Sequence, residues 1–63
     1  MYYHYKLINY ECGLQTIMAS GCVGGATPEL AEVAAFEDLP LAYQNYLTHP
    51  KDSKYWGITL VAL

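Results

Sequence analysis

Residues 11–25 read Glu11-Cys12-Gly13-Leu14-Gln15-Thr16-Ile17-Met18-Ala19-Ser20-Gly21-Cys22-Val23-Gly24-Gly25, and the order of elements in the chain turns on them. Leu14, Ile17 and Met18 fall at i, i+3 and i+4, the spacing that gathers apolar side chains on one face of a helix. A short first helix beginning near Glu11 is therefore predicted. Gly21 is placed to end it in the left-handed conformation that glycine adopts without steric cost. Residues 20–25 then read as a loop, because three glycines in five residues weaken a helix or a strand.

Upstream of that stretch the period is two. Tyr3, Tyr5 and Leu7 alternate with His4, Lys6 and Ile8, which predicts a strand over the first ten residues with one aromatic-aliphatic face. Downstream, Thr27 is a helix cap, Pro28 suits the first helical position and Glu29 complements the helix dipole. Leu30, Val33 and Ala34 supply the buried stripe of this second helix, predicted to run to about Phe36. A third helix begins near Leu39-Pro40, with Asp38 as its cap. Leu39, Ala42, Tyr43, Tyr46 and Leu47 form its apolar stripe, and Pro50 stops it. Residues 49–53 read as a turn. From Lys54 to Leu63 the chain reads as a second strand, with Trp56, Ile58, Leu60 and Ala62 on one face.

The predicted fold is thus a single small α+β domain over residues 1–63, in the order β-α-α-α-β. Its terminal strands pair antiparallel and its helices pack on one face. A two-stranded sheet is marginal in water. The last strand is strongly apolar, with no charge after Lys54, so pairing with another chain, most simply in a homodimer, is expected.

Charge narrows the function classes. The net charge is −3, and the chain has three Lys and no Arg. Between Glu11 and Asp38 stand five acids (Glu11, Glu29, Glu32, Glu37, Asp38) and no base. Direct nucleic-acid binding, which needs clustered cations against phosphates, is disfavoured. No apolar run approaches the length of a membrane span, and the first residues lack the order of a signal peptide, so a cytoplasmic location is expected.

Cys12 is read first as a small core residue. Glu11-Cys12-Gly13-Leu14, with Met18 following, resembles the segment around the nucleophile of the cysteine peptidase domains of bacteriocin-exporting transporters, over about eight residues. Lys6-Leu7-Ile8 stands where that family carries its oxyanion Gln, and the family's His and Asp lie in a longer chain, so no enzyme is expected. With a helix between them, Cys12 and Cys22 are about 15 Å apart, beyond disulfide reach. His4, His49 and the two cysteines match no zinc spacing, and no cofactor is expected.

The aromatics remain. Seven Tyr and one Trp in 63 residues are more than a core of this size buries. Tyr and Trp are favoured at interfaces, where each brings a large apolar area with a polar handle. A recognition patch drawn from Tyr10, Tyr43, Tyr46 and Tyr55 beside Glu29, Glu32, Glu37 and Asp38 would suit a basic protein surface. The leading expectation is a small acidic protein-binding module, such as an inhibitor made by a phage or mobile element against host defence. The alternatives are an assembly subunit acting through the apolar C-terminal strand and a thiol enzyme built on Cys12.

Overall fold

A computed structural model describes residues 1–63, the side chain of Cys12 excepted. Three strands, β1 (Tyr2–Asn9), β2 (Thr16–Gly24) and β3 (Trp56–Ala62), form one antiparallel sheet in the order β2-β1-β3. Two helices, α1 (Pro28–Asp38) and α2 (Leu41–Thr48), lie between β2 and β3 in sequence. Short 3-10 turns at Glu11–Gly13 and Ser53–Tyr55 complete the chain.

The period-two reading of β1 holds. Tyr3, Tyr5 and Leu7 are buried, and Leu7 is fully enclosed, a burial that contributes about 2 kcal/mol. β1 pairs antiparallel with β3 in unbroken register from Tyr3↔Ala62 to Asn9↔Trp56, so the two terminal strands meet as predicted. Ile58 and Leu60 pack against the core formed by Tyr5, Leu7, Ala35 and Leu39.

The first predicted helix is instead β2. Residues from Thr16 to Gly24 pair antiparallel with β1, and one residue near Met18 bulges where the register shifts between Leu7 and Ile8. Leu14, Ile17 and Met18, whose spacing pointed to a helix, are all exposed. The residues that face the core are Ala19 and Val23, with Gly21 between them. Gly21 pairs with Tyr5, whose ring lies across it: a Cβ added at Gly21 would stand 2.9 Å from Tyr5 Cε1. The tyrosine fills the space that the glycine leaves, which is how a glycine-rich run becomes a packed strand. The order is therefore β-β-α-α-β, with two helices, and the sheet has a third strand of its own. The expectation of a homodimer to rescue a two-stranded sheet loses that premise.

α1 begins as predicted. Thr27 Oγ1 accepts a 3.2 Å hydrogen bond from Leu30 N–H, and Pro28 takes the first turn. Its sheet-facing residues are Ala31 and Ala35, both fully buried, and not the expected stripe of Leu30, Val33 and Ala34, of which Leu30 and Val33 are exposed. Small side chains there let the helix approach the sheet closely. Gly25 shares in that closeness, since a Cβ on it would lie 2.6 Å from Ala31 N. α1 ends two residues beyond the predicted Phe36, at Asp38, and α2 begins after Pro40 with no side-chain cap. Asp38 does not cap the next helix as expected: its carboxylate accepts a 2.7 Å hydrogen bond from the Tyr5 hydroxyl. Gln44 secures the corner between the helices by donating to Leu39 O at 2.8 Å. α2 stops at Thr48, ahead of Pro50.

Candidate functional site

A cleft of about 420 Å³ opens between one flank of α1, the end of α2 and the start of β3. Glu29, Glu32, Val33 and Phe36 share that flank, at i, i+3, i+4 and i+7. Leu47 closes one end, and Trp56 and Ile58 wall the sheet side. Because Ala31 and Ala35 face the sheet, the two carboxylates a few positions away are turned toward the outer strand and solvent. Both glutamates are exposed, and among the described residues neither has an ionic partner.

Trp56 is held by α2. The Tyr46 ring stacks parallel to the indole, with centroids 4.9 Å apart and 2° between the planes. Tyr43 meets it at 5.8 Å with a 39° tilt. Stacked and tilted aromatic pairs of this kind contribute roughly 0.5–1.5 kcal/mol each beyond the area they bury. The indole is thereby fixed in orientation while it remains part of an accessible wall.

The eight residues expected to form one patch are divided by the fold. Glu29 and Glu32 line the cleft, and Tyr43 and Tyr46 support its tryptophan. The other four lie elsewhere. Asp38 is engaged with Tyr5. Glu37 is exposed, and its backbone carbonyl accepts a hydrogen bond from Gln44 Nε2 at 3.4 Å. The Tyr10 ring lies over Gly57, on the sheet face directed away from the helices. Tyr55 carries the Lys54 ammonium 5.0 Å above its ring.

Apart from the two glutamates, the cleft residues Val33, Phe36, Leu47, Trp56, Gly57 and Ile58 were not among the expected site residues. The signal for Phe36 was present, because it continues the Glu29-Glu32-Val33 spacing by one turn. Trp56 was assigned to the last strand's apolar face, and only the packing of α2 shows that this face borders a cavity.

The chemistry weighed on other residues finds little geometry. The reading of Cys12 as a nucleophile lies outside the described side chains. The separation of Cys12 from Cys22 argued from a helical rise fails with that helix. Cys22 is a free, exposed thiol on β2, paired across the strands with His4. His49 Nδ1 lies 3.6 Å from Asp52 Oδ2 in the turn after α2. Among the described residues no group of three His, Cys, Asp or Glu is arranged to hold a metal. Among the described residues no helix is long and apolar enough to cross a membrane. Comparison with protein-family models, with curated proteins and with solved structures gives no match in any of the three.

Proposed function

We propose that the protein is a small binding module that captures a basic segment of another protein in the cleft between α1 and β3. The observation that carries this reading is the pairing of two carboxylates, Glu29 and Glu32, with an accessible aromatic and aliphatic wall that includes Trp56. A lysine or arginine side chain suits such a place on both counts. Its methylene stem packs on Trp56, Ile58 and Phe36, and its cationic head meets the carboxylates. Aromatic faces add an attraction for cations of about 0.5–2 kcal/mol. Free acidic groups at the rim also speed encounter with a basic partner, an effect that falls with ionic strength.

Inhibition of a larger, basic-surfaced target, by a phage or mobile-element product acting inside a host cell, remains the form of this function that the acidic, aromatic composition favours. The decisive experiment is affinity capture from lysate at low and high salt, with bound proteins identified by mass spectrometry. A stoichiometric, salt-sensitive partner retained by the native protein and by Glu37→Gln, and lost with Glu29→Gln/Glu32→Gln, is the expected result. A partner captured equally by the double variant would remove the cleft from the proposal.

Self-assembly is the second reading, and it rests on β3. That strand runs Trp56-Gly57-Ile58-Thr59-Leu60-Val61-Ala62 without a charge, and among the described residues it pairs only with β1. Sedimentation at rising concentration separates the two. A monomer throughout supports the binding module, whereas a tight dimer supports the assembly subunit.

A further inference from the structure

The free edge of β3 and the cleft are adjacent, and the hydrogen-bond phase of the sheet links them. Leu63 N–H donates to Tyr2 O at 3.0 Å, and Tyr10 N–H donates to Tyr55 O at 2.6 Å. These bonds flank the pairs Tyr3↔Ala62 and Asn9↔Trp56, which are therefore the non-hydrogen-bonded pairs of the ladder. The hydrogen-bonded pairs are His4↔Val61, Lys6↔Thr59 and Ile8↔Gly57. Ile58, Leu60 and Ala62 consequently turn their N–H and C=O groups outward, away from β1. Their side chains lie on the helix side of the sheet, the side on which the cleft opens.

The other sheet edge is differently built. β2 carries the bulge near Met18, a device that bends an edge and interrupts further pairing. β3 has no such irregularity against β1; both edge strands lack proline and charge, so the bulge is what separates them. Of the two edges, β3 is the one prepared to accept a strand.

We infer that the partner segment is an extended strand added to the free edge of β3, with a lysine or arginine side chain entering the cleft between Glu29 and Glu32. This rests on the reading of the cleft given above and specifies its mode of recognition. Main-chain bonds to Ile58 and Leu60 supply affinity, and alternate side chains facing the helices supply selectivity. A residue of the added strand beside Ile58 stands at the sheet wall of the cleft, one helix-side position from Trp56, where the apolar wall receives its stem and the glutamates its charge. Charge also decides against a second copy as the occupant, because the β3 of another molecule, Trp56–Ala62, brings no cation to the two unpaired glutamates.

The test uses the full chain, labelled for NMR, and two capped peptides: Thr-Val-Thr-Lys-Thr-Val-Thr and the same sequence with Glu in place of Lys. With the Lys peptide, the Ile58 and Leu60 amides are expected to exchange at least tenfold more slowly, while the Glu peptide leaves them unchanged. Ala62→Pro removes only an outward N–H and should weaken the Lys peptide's binding several-fold with β1–β3 pairing intact. Glu29→Gln/Glu32→Gln should weaken it at least fivefold. If the Lys peptide perturbs Trp56 and α1 while Ile58 and Leu60 exchange as before, strand addition is overturned and the acidic cleft stands. Slow exchange at those amides that grows with protein concentration alone assigns the edge to a second copy and also overturns the inference. No response to either peptide at millimolar concentration overturns strand addition, and the lysate capture then judges the cleft separately.

Discussion

The Tyr5 hydroxyl donates a 2.7 Å hydrogen bond to Asp38 Oδ2, joining the middle of the central strand to the last residue of α1 across 33 positions of sequence. The tyrosine ring is buried, while the aspartate is exposed. The bond therefore stands at the boundary of the core, where it fixes the end of α1 over the sheet. Burial of the phenol, the hydrogen bond to Asp38 and the nearby carboxylate charge together push the Tyr5 pKa up to about 12 from 10.0.

A pH dependence with a definite sign results. Because the folded-state value is the higher one, the folded protein holds the phenolic proton more tightly than the unfolded chain does. The stability from this group is complete below pH 10 and is lost as pH rises through 10 toward 12. Urea unfolding across that interval should show midpoints falling more steeply for the native protein than for Tyr5→Phe. Equal slopes would mean that the group does not govern alkaline stability.

Removing the tryptophan tests the aromatic wall. Trp56→Ala deletes the stack on Tyr46 and the contact with Tyr43, and should destabilise the domain by about 2–3 kcal/mol, at or below the low end of the range for a core tryptophan because the site is partly exposed. Trp56→Phe keeps a ring against Tyr46 and should lose less than half as much. Denaturation followed by far-ultraviolet circular dichroism reads both, since the chain's one Trp is the residue being changed.

Two neighbouring glycines should respond differently to the same methyl group. At Gly25 the new Cβ would meet the Ala31 backbone at 2.6 Å, where only a shift of α1 gives relief. At Gly24 the nearest atom is Tyr2 Cε1 at 3.4 Å, on an exposed ring that can move. Gly25→Ala is expected to cost roughly 1–3 kcal/mol and Gly24→Ala under 1 kcal/mol. Thermal melts of the two variants give the order, and a reversed order would contradict the close seating of α1.

The start of α1 offers a milder lever on the cleft. Thr27→Ala leaves the Leu30 N–H without its acceptor and should cost about 1 kcal/mol, whereas Thr27→Asp retains a cap and should be near neutral. Glu29 sits in that first turn, so fraying should also weaken peptide binding measured by Trp56 fluorescence, with Thr27→Asp restoring it.

The sequence by itself determined β1, β3, α1 and α2. Each carries a signal internal to its own segment: strict alternation in Tyr3-Tyr5-Leu7 and Trp56-Ile58-Leu60, the Thr27-Pro28 cap, and the stripe from Leu39 to Leu47. Glu29 and Glu32 were legible as neighbours because they stand three apart on one helix. Only the tertiary structure decided β2 and the cleft. Three apolar residues at helical spacing between Leu14 and Met18 were outweighed by eight residues of β1 offering an unpaired ladder, and by a Tyr5 ring able to occupy the space over Gly21. Trp56 became a cleft wall, and Tyr10 and Tyr55 parted from the other aromatics, for a related reason. A face is assigned by the periodicity of one segment, but whether it meets a core, a cavity or solvent depends on which other segment packs beside it.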